Sequence, residues 1–203
     1  MYPYRDGRMI EKENKVDIQL AWSRDGIRWE RHPERSIFME NGTRAAGTAY
    51  DWGMIWPCQG VIEQGDRLHL YYRADSVLHT TMPGTWGNFC LATLRKDGFV
   101  SLDSPGDGYM LTKPLACPGG RLHVNADAGH DGFVRVAVRR GDGVKDGIWL
   151  EGWNFADGLP FSGDSVDGVP GWNGGKDYGA LKGRAIRLEF WIHKAALYSF
   201  WFD

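Results

Sequence analysis

Apolar and polar positions alternate in short runs along most of the chain, and helical periodicity is almost absent. Val16-Asp17-Ile18-Gln19-Leu20-Ala21-Trp22 repeats with a period of two, as a half-buried strand does. Ser23-Arg24-Asp25-Gly26 predicts a tight turn, and Ile27 to Arg31 alternates again as the returning strand. The charged run Met9 to Lys15 reads as a loop or hairpin turn. Residues 33–53 form a polar, Gly-rich connection, with a short edge strand at Ser36-Ile37-Phe38-Met39. Met54 to Ile62 predicts an inner strand interrupted by Pro57, which implies an edge, a bulge or a kink. After a turn at Glu63-Gln64-Gly65-Asp66, Arg67 to Arg73 is a strong strand and 75–87 is a loop. Asn88 to Leu94 is the next strand, Lys96-Asp97-Gly98 turns, and Phe99 to Leu102 returns. Residues 54–102 are thus expected to hold a four-stranded meander, the unit of a β-propeller blade.

The texture changes at Ser104-Pro105-Gly106-Asp107-Gly108, read as a domain boundary. Beyond it, Arg121 to Ala126, Phe133 to Arg139, Ile148 to Leu150, Ala185 to Ile192 and Leu197 to Phe202 predict short antiparallel strands of a sandwich or jelly roll. Ile186, Leu188, Phe190 and Ile192 share one face, so Trp191 points the other way and is expected to be exposed or at an interface.

One motif occurs twice. Leu20-Ala21-Trp22-Ser23-Arg24-Asp25-Gly26 returns, with one extra residue, as Leu91-Ala92-Thr93-Leu94-Arg95-Lys96-Asp97-Gly98, and an aromatic (Trp29, Phe99) follows each copy. A repeated strand–turn–strand unit suggests a toroidal or stacked β architecture, and two copies are too few to close a ring. Asp25 and Asp97 are expected to be structural, their carboxylates accepting backbone N–H bonds within the turn.

Composition narrows this further. The 203 residues suit one large domain or two small ones. The 28 Gly fit many turns, and the 10 Trp exceed what a core of this size usually uses, which points to core residues or to platforms for sugar rings. The formal charge of −2 argues against nucleic acid as a partner. No stretch approaches the roughly 20 apolar residues of a membrane-spanning helix, so no membrane partner is expected. The N-terminal residues hold no apolar signal-peptide core, which leaves the location open, secreted or periplasmic if a longer precursor exists. Cys58, Cys90 and Cys117 have no metal-site spacing and read as buried free thiols. No cofactor or metal is expected. Asp127, Asp131 and Asp164 are loop carboxylates able in principle to hold calcium, without an EF-hand pattern. Asn41-Gly42-Thr43 is a formal glycosylation triplet and says little alone.

Ser23-Arg24-Asp25-Gly26-Ile27-Arg28-Trp29 resembles the Asp-box hairpin of sialidase-type propellers, shortened by one residue. Leu-Ala-x-Ser-Arg-Asp-Gly-x-x-Trp is also similar to a blade hairpin in five-bladed propellers of the family 32/43/117-like glycoside hydrolase superfamily. Leu91 to Leu102, followed by Leu111-Thr112-Lys113-Pro114-Leu115, resembles the junction between a last blade and a C-terminal β-sandwich. Leu122 to Ala126, Gly163-Asp164-Ser165 and Leu197 to Phe200 resemble that sandwich. The resemblance covers nearly the whole chain and matches the C-terminal part of a longer protein. The superfamily's Trp-x-Asn-Asp-Pro, Arg-Asp-Pro and Glu-Cys segments, which carry its catalytic carboxylates, are not in this chain, and Arg24-Asp25 is followed by Gly.

The resemblance implies an all-β protein: a partial β-propeller of about one and a half blades at 1–103, followed by a β-sandwich or jelly roll at 110–203. It implies a carbohydrate-active, glycoside hydrolase-like protein, or a fragment lacking the catalytic carboxylates, with a glycan or oligosaccharide as partner. The alternative is a non-catalytic carbohydrate-binding or structural module that forms homo-oligomers through open sheet edges, or one completed by missing N-terminal blades. Propeller sites face the central axis, so Asp51, Trp52, Trp56 and Gln59 beside the inner strand are candidates, with Arg73, Asp75 and His79 following the next strand. Asp51, Asp75 and His79 are the catalytic candidates; a His serves as acid in anhydrogalactosidase-like members. Trp52, Trp56, Gln59, Arg73 and Trp191 are the ligand-binding candidates. Trp149, Trp153, Trp172 and Trp191 are a candidate aromatic face in the second half.

Overall fold

In the computed structural model, which describes residues 15–43, 50–79, 87–143 and 148–203, the alternating runs become strands, and the protein is all-β. Helical elements among these residues are 3-10 turns such as Asn173–Gly175 and Tyr178–Leu181. The chain divides into two compact units, Met1–Leu94 and Arg95–Asp203. No sheet closes on itself among the described residues.

In the first unit, β1 (Ile18–Gln19) pairs with β4 (Ile37–Met39), and β2 (Ala21–Trp22) pairs with β3 (Glu30–Arg31). The predicted edge strand at 36–39 is therefore present. The turn between β2 and β3 is held by Asp25. Its Oδ1 accepts the N–H groups of Ile27 (2.8 Å) and Arg28 (2.7 Å), and the Ser23 hydroxyl accepts from Gly26 (2.9 Å). Gly26 sits at φ 71°, a left-handed value that disfavours a β-carbon. These donors hold the Asp25 carboxyl below its ordinary range, the bond from Arg28 first.

β5 (Met54–Pro57) and β6 (Ile62–Gln64) lie along the same edge of β7 (Arg67–Asp75), as two pieces of one strand broken after Pro57, and β8 (Asn88–Arg95) pairs with the other edge. Pro57 has no N–H for the ladder, and the break follows it. Ile55, Tyr72 and Ala74 form a small core, packed by Ile18, Met39, Cys90 and Ala92. The expected fourth meander strand is not in this sheet. Phe99 to Leu102 does not return along β8, because the chain passes into β9 (Leu102–Leu111), which pairs with the last strand of the chain. The segment 104–108, expected as a boundary, lies inside β9.

The second unit is organised by β16 (Ala185–Phe202), an 18-residue strand. On one edge it pairs with β9 and then β10 (Leu115–Ala116); on the other it pairs with β11 (Leu122–Asp127) and then β12 (Phe133–Arg140). β14 (Asp164–Gly168) extends the sheet beyond β11, and β13 (Gly158–Leu159) and β15 (Gly171–Trp172) form a small separate pair. The two strands expected at 185–192 and 197–202 are one. The pairing with β9 shifts between His193 and Ala195, where Pro105 and Gly106 of β9 oppose the single Lys194 of β16, which sits at φ 45°. The bulge moves the inward set from Ile186, Leu188, Phe190 and Ile192 to Ala195 and Leu197, a change of phase that in sequence imitates a break. Ile148 to Leu150 contributes only a bridge, Trp149 to Arg139.

One face of this sheet is buried. Leu122, Val124, Val134, Val136 and Val138 join the inward set of β16 and are covered by Trp153, Trp172, Tyr178 and Leu181 from the segment that follows β12. Trp153 and Trp172, expected on a binding face, are 7% and 4% exposed and lie in this core. Lys176 Nζ sits 4.5 Å over the Trp153 ring, closing that layer.

Candidate functional site

An antiparallel sheet with one buried face leaves its alternate positions on the other. Here the odd-numbered residues of β9, β12 and the first half of β16 fall into cross-strand rows. Asp107, His193 and Phe133 form one row, and Tyr109, Trp191 and Arg135 the next. Leu111, Glu189 and Ala137 follow.

The first two rows are an aromatic platform. Tyr109 and Trp191 are stacked with centroids 5.8 Å apart and planes 24° from parallel. Phe133 meets Trp191 edge-on at 5.1 Å and stacks on His193 at 5.0 Å. Phe155, from the segment beyond β12, meets Trp191 edge-on at 5.7 Å. Tyr109 also meets Phe155 at 6.2 Å with planes 58° apart, and remains 62% exposed.

Polar groups border the rings. Trp191 Nε1 donates to Asp107 Oδ1 at 2.7 Å, and His193 Nδ1 lies 2.7 Å from the same oxygen. The bond from Trp191, then His193, holds the Asp107 carboxyl below its ordinary range. In the third row, Arg139 clamps Glu189 through two bonds of 2.7 Å, and Trp149 Nε1 donates to Glu189 Oε2 at 2.7 Å. Burial pushes the Glu189 carboxyl up, but the bonds from Arg139 and Trp149 outweigh it and leave it below the usual range. Arg135 donates from Nη1 to the Phe155 carbonyl at 3.2 Å, with its guanidinium carbon 5.5 Å from the Phe133 ring and 6.0 Å from the Trp191 ring.

Of the candidates read from sequence, Trp191 stands on this face, out of phase with the core as its position implies. The candidates Asp51, Trp52, Trp56, Gln59, Arg73, Asp75 and His79 belong to the first unit. Asp75 is 1% exposed and accepts from Arg73 Nη2 at 2.9 Å, so the two form an ion pair rather than flank a cleft. Asp51 Oδ2 accepts from the Tyr72 hydroxyl at 3.4 Å. Burial first, then the Cys90 and Asp51 charges, push the Tyr72 phenol up to about 12. Trp56 and His79 face each other at 6.2 Å, Lys15 Nζ lies 6.0 Å over Trp52, and Gln59 is exposed. The structure thus brings Asp51 to Tyr72, Arg73 to Asp75 and Trp56 to His79.

The loop carboxylates have protein partners. Asp164 pairs with Arg95, Asp127 accepts from the Gly129 N–H, and Asp131 pairs with His130. Cys117 is buried, whereas Cys58 and Cys90 are half-buried. Asn41 Nδ2 donates to the carbonyls of Val16 and Asp51.

Sequence reading missed Asp107, Tyr109, Phe133, Arg135, Phe155 and His193 as site residues. The signal for Phe133 and Arg135 was present, since both are out of phase with Val134, Val136 and Val138. Asp107 and Tyr109 were hidden by the Pro and Gly around them, which read as linker.

No protein-family model matches the sequence, and no match was found among curated proteins or among solved structures.

Proposed function

We propose that this chain is a carbohydrate-binding protein that receives a saccharide on the open sheet face of its second unit without cleaving it. The setting is the propeller-and-sandwich architecture of glycoside hydrolase-like proteins that its hairpin motif resembles. In this reading the β5/β6–β7–β8 sheet is a blade element, and the second unit plays the part of the C-terminal sandwich. The observation that carries the function is the exposed Tyr109 ring beside Trp191, bordered by Asp107 and His193 in the adjacent row and by Arg135 in its own. A pyranose has an apolar C–H face and a belt of hydroxyls. Aromatic planes suit the first and charged hydrogen-bonding groups the second.

Binding is favoured over hydrolysis by the state of the carboxylates. Glycoside hydrolysis needs two of them flanking the scissile bond. Both Glu189 oxygens are held by Arg139 and Trp149, and Asp75 is buried against Arg73. Pairing of copies through β9 is disfavoured, because Pro105 and the charges of Asp103 and Asp107 interrupt that edge.

The test is binding of the full chain to an oligosaccharide panel, with Tyr109→Ala beside the wild type and reducing-end release assayed in parallel. Binding that Tyr109→Ala abolishes at unchanged melting temperature, without release of reducing ends, is expected. Equal binding by the variant, or none by the wild type, would overturn the proposal.

A further inference from the structure

Four arginines of the second unit hold a carboxylate. Arg95 holds Asp164, Arg121 holds Asp203, Arg139 holds Glu189 and Arg140 holds Asp142. Arg135, half-buried on β12 beside the platform, holds no carboxylate among the described residues. Its protein partner is the neutral Phe155 carbonyl, and its Nε is buried without a hydrogen-bond partner. A guanidinium partly desolvated by two aromatic rings, with no counter-anion, is an unfavourable arrangement for stability alone. The neighbouring acids do not relieve it: Glu189 is saturated by Arg139 and Trp149, and Asp107 is tied to Trp191 and His193 on the far side of β16.

Position gives the group a direction. Arg135 shares a cross-strand row with Tyr109 and Trp191. Tyr109 and Arg135 are two strands apart, about 10 Å at ordinary strand spacing, a span that a short oligosaccharide bridges. A ring stacked on Tyr109 would turn hydroxyls toward Asp107 and His193 and an edge substituent toward Arg135. The planar guanidinium matches a carboxylate better than a hydroxyl, since it offers two parallel donors and a full charge.

Resting on the saccharide reading above, we infer that the ligand is an acidic saccharide whose uronic-acid carboxylate is received by Arg135. Arg135 is thus the specificity-determining residue of the platform, and Tyr109 and Trp191 supply affinity that is indifferent to charge.

The experiment is calorimetric titration of the full chain with oligosaccharides of galacturonate, glucuronate and mannuronate, each beside its carboxyl-reduced neutral counterpart. Arg135→Gln and Arg135→Lys are titrated in the same way. At least one acidic member is expected to bind the wild type about tenfold or more tightly than its neutral partner. Arg135→Gln should erase that difference by weakening the acidic ligand alone, and Arg135→Lys should recover part of it. Equal binding of acidic and neutral members by the wild type overturns the inference while the saccharide reading stands, and this comparison does not depend on any variant folding. A preference that survives in Arg135→Gln also overturns it. If no member of either series binds, the saccharide reading fails and this inference with it.

Discussion

Replacing Arg95 by alanine tests how the second copy of the doubled motif is used. Arg95 carries the same place in its motif as Arg24 does in the first copy, yet the two surroundings differ completely. Arg24 is exposed on the β2–β3 turn. The Arg95 side chain is 15% exposed; it donates to Asn125 Oδ1, to the Ala126 carbonyl (3.1 Å) and to Asp164, and its guanidinium carbon lies 5.0 Å over the Tyr198 ring. Asn125 is buried and in turn donates to the Lys96 carbonyl at 2.6 Å. The bond to Asp164, whose side chain is 59% exposed, is screened and contributes at most about 1 kcal/mol. The shielded bonds to Asn125 and Ala126 contribute about 1.5–3 kcal/mol each, and the contact with Tyr198 about 0.5–1 kcal/mol. These terms are not additive, and Arg95→Ala should cost about 4 kcal/mol, against less than about 0.5 kcal/mol for Arg24→Ala. With a urea m-value of about 2 kcal/mol/M, the midpoint of the second unit should fall by about 2 M. Tryptophan fluorescence follows that transition through Trp153 and Trp172. A midpoint shift below about 0.5 M, or equal shifts for Arg24→Ala and Arg95→Ala, would show that the Arg95 contacts do not hold the second unit together.

Asp25→Ala should speed amide exchange at Ile27 and Arg28, which lose their acceptor, and leave the melting of the second unit unchanged; exchange followed by NMR checks both. Phe190→Ala, at a fully buried site, should destabilise by about 3–5 kcal/mol in denaturant titration, whereas Ile27→Ala on the exposed turn should be nearly neutral. Glu189 has a depressed folded-state pKa, so between that value and its ordinary 4.5 the unfolded chain binds more protons. Its contribution is therefore full above about pH 4.5 and is lost as pH falls through the depressed value. Glu189→Gln should be less stable at pH 7 and show a shallower loss of melting temperature on acidification.

The parts legible in sequence are those where a local rule had no competitor. The alternation of Ile186, Leu188, Phe190 and Ile192 gave the buried face of β16, and by subtraction the direction of Trp191. Asp25 and Gly26 carried their turn chemistry in their own side chains and backbone. The illegible parts depend on partners distant in sequence. Ser104-Pro105-Gly106-Asp107-Gly108 is poor strand material by composition, and becomes strand because β16 supplies the pairing edge. Lys194 looks like a break until β16 is seen to pair with β9 on both sides of it, across a shift of register. Trp153 and Trp172 look like platform residues, but the sheet's apolar face needed a cover and the segment after β12 supplies it. The platform itself comes from four stretches of chain, Asp107–Tyr109, Phe133–Arg135, Phe155 and Trp191–His193, and no one of them signals it alone.

The most direct measurement is an NMR titration of the tryptophan indole N–H resonances with an acidic oligosaccharide. Trp191 Nε1 is tied to Asp107 within the platform, while Trp153 and Trp172 lie in the opposite, buried face. The Trp191 resonance should shift and saturate with ligand, while those of Trp153 and Trp172 stay in place. Saturable shifts confined to Trp52 and Trp56, with Trp191 unmoved, would place the ligand in the first unit and contradict it.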